Sequence, residues 1–431
     1  MTHFHTVNCG SVHFGQDRIY FLHGAIQGFA RSASLSAERR RAKMPQNYFA
    51  RLSAYMRKEK EMDKLQNARN EINEIDRQIA ELFVRRMSAV KDVAEYKLEH
   101  GLQILDESRE QSLIKQNAEY IKDAGIRSYY IQFLQDMLNV SKQYQRRLME
   151  GLKVAYSGVE GAFSYIAAKR IFPDARLISY DDFQTAYDSV SSGECDCAVM
   201  PIENSFAGEV GQVMDLMFSG SLHVNGVYSL RISQNLLGIK GAALSDIQRV
   251  VSHPQALDQC AGYIKKHGFE SIQSANTARA AKSVAETGDI HLAAIASMET
   301  AELYGLEVID HDINESLLNT TRFAVFSRIE NANHDFREDS RFLLMFTVKN
   351  VAGALAKAIN VIGEYGFNMS VLRSRPMKEL AWKYYFYVEA DGDETSENGR
   401  KMLEKLSEQC DMLKVLGSYS IKTELKGDGG Q

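Results

Sequence analysis

From Leu65 to about Leu98, apolar residues recur at helical spacing: Ile72, Ile75, Ile79, Leu82, Phe83, Val90 and Ala94. This spacing predicts one long amphipathic helix. Gly101 and the Leu-Gln-Ile-Leu run after it break the pattern. Asp106 stands where it can cap a second helix, with Glu110 in its first two turns, where the helix dipole favours acid. A third helical stretch runs from about Ser128 to Leu148. Three helices with so long a first member cannot bury that member well within one chain, so an intertwined homodimer is expected to complete the core.

At Leu152 the period changes. Residues 152–157 read as a short strand, and Gly158-Val159-Glu160-Gly161-Ala162-Phe163-Ser164 as a turn opening a helix. Further strand-like runs at Cys197–Pro201, Arg249–Ser252 and His291–Ala296 alternate with helical stretches, which implies an α/β domain. Two such units joined by crossovers would leave a cleft between them. Beyond Arg341 the pattern reads strand, helix, strand, strand, helix, strand: Arg341–Val348, Ala352–Tyr365, Asn368–Arg375, Trp382–Ala390, Ser396–Glu408 and Leu413–Ile421. That order is ferredoxin-like and α+β. The expected organisation is an all-α region over 62–150, a two-lobed α/β region over 152–330 and an α+β region over 341–422.

Composition narrows the class. A length of 431 residues is too great for one ordinary domain, and the 45% hydrophobic and 25% charged fractions are those of a soluble globular protein. A formal net charge of −5 argues against general nucleic-acid binding. Five cysteines, an odd number, argue against a disulfide framework and suit a reducing cytoplasm. Cys195-Asp196-Cys197 lacks a second ligand cluster, so no metal is expected. No apolar run approaches the roughly 20 residues of a membrane span.

Residues 1–61 follow none of these patterns. They lack the apolar stretch and cleavage site of a secretory signal. A mitochondrial-type presequence would suit the scarcity of acidic residues before Glu59. We expect instead a mis-assigned start, with translation beginning at Met62. Arg57-Lys58-Glu59-Lys60 can be encoded by purine-rich codons resembling a bacterial ribosome-binding site.

The helical region carries a charged constellation. Arg86 and Lys97 are eleven residues apart, about three turns, and so share a face. Arg69 lies seventeen residues before Arg86, roughly 25 Å along a straight helix and about 100° round it. It cannot reach a ligand held by Arg86 and Lys97 of its own helix, but it can reach one held by an antiparallel partner. Taken singly, such charges belong on a solvated face. As a set, with Asp106, Arg109, Glu110, Ser141 and Gln145, they resemble the helical chorismate mutases along about 85 positions. Ser141 and Gln145 stand four apart on one helical face, and aligning them needs a one-residue length change between helices.

The resemblance implies that these eight residues bind chorismate, whose two carboxylates suit guanidinium groups. The rearrangement needs no acid, base or cofactor. The enzyme holds the folded conformer, with Arg86 among the groups that do so, and Lys97 and Gln145 stabilise the ether oxygen. Asp106 and Glu110 would take the ring hydroxyl.

In the central region, Met200-Pro201-Ile202-Glu203-Asn204-Ser205, Val251-Ser252-His253-Pro254-Gln255 and Thr321-Arg322-Phe323 occur in that order. No generic scaffold rule requires them. Together they resemble the prephenate dehydratase family, which implies a two-lobed, periplasmic-binding-protein-like fold. The glycine turn at Gly158 lacks the third glycine of a dinucleotide fingerprint, which argues against a nicotinamide-dependent prephenate dehydrogenase. A helix N-terminus after such a turn is nonetheless a good carboxylate site. Ser164, Asn204, Ser205, Thr277 and Arg322 can supply donors to the two carboxylates of prephenate.

By resemblance, Thr321 polarises the leaving C4 hydroxyl and Arg322 binds a substrate carboxylate. Glu203 and His253 both stand as candidate proton donors behind Thr321, and His253 can equally be structural, with Pro254 turning the chain. Phe323 suits core packing, and Tyr304-Gly305-Leu306 suits the fold.

In the C-terminal region, Gly353-Ala354-Leu355 and Ser374-Arg375-Pro376 resemble the phenylalanine site of ACT domains. The family tetrapeptide usually begins with Glu where this chain has Arg373. The whole is similar to the bifunctional chorismate mutase–prephenate dehydratases. That implies chorismate and prephenate as substrates, phenylalanine as effector, no cofactor, and a dimer through the helical and ACT regions, with a tetramer as the alternative. Two other readings stand beside it: a dehydratase with an inactive mutase region, and a non-catalytic amino-acid sensor.

Overall fold

The structure, a computed structural model, describes residues 46–316, 318–330, 339–377, 383–420 and 424–425, with side chains from residue 64 onward. Residues 1–45, with most of the N-terminal extension, lie outside the described residues, as do Trp382 and Ile421 at the ends of two expected strands.

Helix α1 runs over Gln46–Glu99. It begins well before the expected onset at Leu65. Residues 46–62 are rich in Gln, Arg, Leu, Ala, Lys, Glu and Met and contain no Gly or Pro, so local propensity carries the helix through the boundary expected at residue 61. Helix α2 spans Glu107–Ala118, with Asp106 as its N-cap accepting from the Arg109 N–H at 3.0 Å. Helix α3 spans Ala124–Glu150 and buries Leu134, Ser141 and Gln145. The chain divides into two compact units between Ser88 and Ala89. Before that point Leu65, Ile72, Ile75, Ile79 and Leu82 of α1 are exposed in the single chain.

Strand β1 (Lys153–Ser157), α4 (Phe163–Ile171), β2 (Arg176–Tyr180), α5 (Phe183–Ser191), β3 (Cys197–Asn204), β4 (Gly208–Glu209), α6 (Gly211–Ser219) and β5 (His223–Arg231) build a first lobe. The second lobe holds β6 (Asn235–Gly238), β7 (Arg249–Ser252), α7 (Pro254–Gln259), α8 (Ala261–His267), β8 (Glu270–Gln273), α9 (Thr277–Thr287), β9 (Leu292–Ala296), α10 (Met298–Tyr304) and β10 (Glu307–Asp310). The chain then returns to the first lobe as β11 (Thr320–Ser327), which inserts antiparallel between β5 and β3. Two crossings therefore join the lobes, as the alternating pattern predicts. Strand β3, Cys-Ala-Val-Met-Pro-Ile-Glu-Asn, is apolar on successive residues because the sheet is covered on both faces.

The C-terminal region comprises β12 (Ser340–Thr347), α11 (Ala354–Glu364), β13 (Asn368–Pro376), β14 (Tyr384–Asp391), α12 (Glu397–Ser407) and β15 (Met412–Ser420). Its sheet order is β13-β14-β12-β15 with antiparallel neighbours, the ferredoxin-like arrangement. Along β12 the side chains alternate in destination. Phe342, Leu344 and Phe346 pack with α11 and α12, whereas Leu343 and Met345 join Ala198, Met200, Ile202, Ala324 and Phe326 of the first lobe in one core. Gly417 makes this close packing feasible. Its φ is +132°, and a Cβ there would sit 2.3 Å from the Val224 carbonyl oxygen on β5. A short β16 (Glu424–Leu425) then pairs with β5. Among the described residues no helix is long and apolar enough to cross a membrane.

Candidate active sites

A cleft of about 470 Å³ is lined by first-lobe residues Ser164, Pro201, Asn204, Glu209, Thr321 and Phe323 and by second-lobe residues including His253, Gln255, Gln259, Asn276 and Thr277. The first turns of α4 and α9, one from each lobe, both reach it. Ala162, the N-cap of α4, offers no side-chain cap, so the first N–H groups of that helix are left for another acceptor. Two helix N-termini at one cleft suit a substrate with two carboxylates.

Thr321 is 8% exposed and Asn204 equally so. The Asn204 Oδ1 accepts from the N–H groups of Phe206 at 3.0 Å and Ala207 at 2.9 Å. Its amide orientation is thereby fixed, and Nδ2 donates to Thr321 Oγ1 at 2.9 Å and to Asn319 Oδ1 at 2.9 Å. A hydroxyl has one hydrogen and two lone pairs. With one lone pair occupied by Asn204, and no described residue accepting from it, the Thr321 hydrogen is left for a ligand. His253 caps α7, its Nδ1 accepting from the Gln255 N–H at 3.3 Å, so a neutral ring carries its proton on Nε2.

Three expected prephenate residues are placed elsewhere. Ser205 is exposed and absent from the cleft wall; its Oγ accepts from the Thr320 N–H at 3.0 Å and so anchors the start of β11. Arg322 and Glu203 point to the opposite face of the sheet. Arg322 grips Glu389 of β14 with two bonds of 2.9 and 2.8 Å, donates to the Tyr419 hydroxyl at 2.8 Å and meets Glu203 at 3.1 Å. Glu203 also pairs with Arg373 of β13. The expected carboxylate grip by Arg322 and the proton-donor candidacy of Glu203 are therefore not met by this geometry. Pleating sends Thr321 to the cleft and its neighbour to the far side.

Burial alone would raise the Glu389 carboxyl. Arg322, helped by the Tyr419 and Tyr387 hydroxyls, outweighs burial and holds it below its ordinary 4.5. The unfolded chain therefore takes up this proton at higher pH than the folded one. The stability it contributes is complete above about 4.5 and is lost as pH falls through the lower folded value. A thermal-unfolding series across that acid range should show a steeper fall for the wild type than for Glu389→Gln. Superimposable slopes would mean that the group contributes nothing to acid stability.

In the helical region each expected chorismate residue is described in its own unit. Arg69 is exposed, and Arg86 is half-buried, burial lowering its guanidinium pKa. In the second unit Lys97 Nζ donates to the Ile104 carbonyl at 2.6 Å. Glu110 accepts from Lys142 at 3.0 Å, and Arg109 is exposed. Asp106 is committed as a cap: the Arg109 N–H, then the Ser108 hydroxyl, hold its carboxyl below the usual range. Ser141 donates to the Met137 carbonyl at 2.7 Å. Gln145 is buried, yet its Oε1 has no hydrogen-bond partner among the described residues. Such an orphan acceptor is costly unless a ligand or neighbouring chain answers it.

Of the expected effector residues, Gly353 has φ +81° at the N-cap of α11, and Ala354 and Leu355 form the first turn. Ser374 and Pro376 are exposed along edge strand β13. Arg375 is turned to the first lobe instead, pairing with Glu209 and meeting the Tyr385 hydroxyl at 3.0 Å, with Asp215 at 3.4 Å. It is not left to face an effector.

The cleft also holds residues that sequence reading missed: Glu209, Gln234, Gln255, Gln259 and Asn276. Gln255 and Gln259 follow the His253-Pro254 pair and Asn276 precedes Thr277, so adjacency to those residues was the available signal. Gln234 is 2% exposed and its Oε1 has no hydrogen-bond partner among the described residues, whereas Glu209 depends on the β3–β4 hairpin, which leaves no local signature. Cys195 and Cys197 are buried, and burial pushes the Cys197 thiol up to about 12.

Fold and cleft together define a multidomain enzyme whose two-lobed region is built for a small anionic substrate. The prephenate dehydratase family model matches residues 154–331, and the chorismate mutase type II model matches residues 68–146. A bifunctional chorismate mutase/prephenate dehydratase of Neisseria gonorrhoeae is 30% identical over 358 residues, covering 81% of this chain and 95% of that protein. An arogenate dehydratase/prephenate dehydratase of Arabidopsis thaliana is 33% identical over 286 residues, 64% of this chain and 74% of that protein. Among solved structures, the prephenate dehydratase of Arthrobacter aurescens in complex with L-Phe matches with a TM-score of 0.58 at 28% identity, covering 62% of this chain and 90% of that one.

The chain belongs to the bifunctional chorismate mutase–prephenate dehydratase family. It converts chorismate to prephenate and dehydrates and decarboxylates prephenate, two steps of phenylalanine biosynthesis.

Proposed function

We propose that the interlobe cleft is the dehydratase site and that Thr321 is its hydrogen donor. The carrying observation is the fixed Asn204–Thr321 contact, which directs the threonine hydrogen away from the protein. As the C4 oxygen departs with developing negative charge, that hydrogen stabilises it, while the two helix N-termini hold the carboxylates. The ring carboxylate leaves as carbon dioxide, its electrons complete the aromatic ring, and the hydroxyl leaves as water with one proton taken up. Among the two donor candidates, His253 is the one that lines the cleft.

The helical region, residues 62–150, rearranges chorismate in a homodimer, each site taking Arg69 from the partner helix. The exposed apolar row Leu65, Ile72, Ile75, Ile79 and Leu82 supports this, since a helix apolar on one face buries that face against something. The dehydratase region occupies residues 152–330. Residues 341–422 form an ACT-type sensor of phenylalanine, an assignment supported by its ferredoxin-like order and by the solved prephenate dehydratase in complex with L-Phe. The enzyme works in the cytoplasm.

A coupled assay tests these assignments together. Chorismate is supplied, and prephenate and phenylpyruvate are followed separately with and without phenylalanine. Both products should form, with phenylalanine suppressing only the second. Undiminished phenylpyruvate formation at saturating phenylalanine would remove the sensor assignment.

A further inference from the structure

In the β3–β11 pair Thr321 lies opposite Asn204, and Arg322 lies opposite Glu203. The first pair faces the cleft and the second faces the C-terminal sheet. Behind the second pair runs a chain of alternating charge. Arg373 pairs with Glu203, Glu203 with Arg322, and Arg322 with Glu389, beyond which Arg341 approaches Glu389 at 3.9 Å and Asp391 at 2.6 Å. We propose that Glu389, on the C-terminal sheet, is a positioning residue for dehydration. It fixes Arg322, and through Arg322 it fixes the backbone that carries Thr321. The inference rests on Thr321 being the hydrogen donor.

Three observations support a positioning role over simple attachment. Glu389 is 1% exposed and its carboxylate accepts from four donors: both terminal Arg322 nitrogens, Tyr387 Oη at 2.7 Å and Tyr419 Oη at 2.6 Å. With every contact short, it has little freedom to move. Second, the β3–β11 register slips immediately after Arg322, between Arg322 and Phe323. A bulge weakens the ladder where Thr321 most needs a fixed place, and the clamp supplies a hold from the other face. Third, the surrounding core is apolar, with Leu343, Met345 and Leu416 fully buried. A buried ion pair there is a poor device for stability compared with an apolar pair, so its value lies in fixed geometry.

The test uses the full chain and measures prephenate dehydration and chorismate rearrangement on the same preparations. Glu389→Gln should lower the dehydration kcat on the order of 10- to 100-fold with KM little changed, as expected for displacement of a reacting group. Chorismate rearrangement should stay at the wild-type rate. Arg322→Lys, which keeps the charge and loses the two-pronged grip, should act in the same direction. The double variant Arg322→Gln/Glu389→Gln removes the guanidinium that has lost its two-pronged partner and should recover part of kcat. Thr321→Val serves as the reference for a lost hydrogen donor. A Glu389→Gln enzyme with wild-type kcat, beside an inactive Thr321→Val, would overturn the positioning role and leave the donor assignment standing. A kcat loss matched by an equal loss of rearrangement would overturn it as mere unfolding. An active Thr321→Val would remove the donor assignment itself, and the inference with it.

Discussion

Thr321→Val is expected to lower the dehydration of prephenate by about 10²–10⁴-fold while leaving the rearrangement of chorismate unchanged. Valine keeps the shape of the side chain, so the cleft should not collapse. What it removes is the hydrogen aimed at the leaving oxygen and the acceptor that Asn204 Nδ2 meets at 2.9 Å. Asn204 retains Asn319 as a partner at 2.9 Å, so the stability cost should stay near about 1 kcal/mol. Steady-state kinetics with prephenate and with chorismate, together with a thermal midpoint, separate these effects. Wild-type phenylpyruvate formation by the valine variant would mean that another group protonates the leaving oxygen. The second substrate is an internal control, because the same chain reports whether it has folded.

Arg86→Ala and Arg69→Ala should each lower chorismate rearrangement by roughly 10²–10³-fold with dehydration intact. Each removes a guanidinium from a dicarboxylate site. A stronger result is expected from mixing the two inactive proteins under conditions that allow subunit exchange. If Arg69 serves the partner's site, a mixed dimer holds one site lacking both arginines and one with both. With half the dimers mixed and one site intact in each, activity should return to about a quarter of the wild-type level. No recovery after verified exchange would place Arg69 in the site of its own chain, or outside any site. Helix geometry alone makes the cis arrangement unattractive, since roughly 25 Å of rise separates Arg69 from Arg86 on one straight helix.

The two halves of the chemistry were legible to different degrees. The residues proposed for the mutase site are distributed along helices, where fixed rise and rotation turn sequence separations into distances, so Arg86 and Lys97 could be placed on one face from numbering alone. The capping place of Asp106 was legible in the same way, whereas numbering could not show that Gln145 is buried with an acceptor that no described residue meets. The dehydratase motifs identified Thr321 and Asn204 because those residues are contiguous with distinctive neighbours. They did not identify Gln234 or Glu209, which reach the same cleft from segments without a motif. Arg322 shows the same limit most plainly. The resemblance implied that it binds a substrate carboxylate, yet its guanidinium faces Glu389, from a strand separated by more than sixty residues of chain.

The sequence by itself determined the order of elements, which follows from local rules: helical or strand periodicity, capping and turn chemistry. Thr321 and Asn204, which meet at the cleft wall, were marked instead by the resemblance of their motifs to the dehydratase family. Only the tertiary structure decided which face of β3 and β11 is the working one. Alternation assigns residues to two faces without saying what covers each face. The bulge then breaks alternation itself, so that Pro201 and Asn204, of opposite parity, both line the cleft. That choice belongs to the C-terminal sheet packed behind, a contact between residues far apart in the chain that no local pattern records.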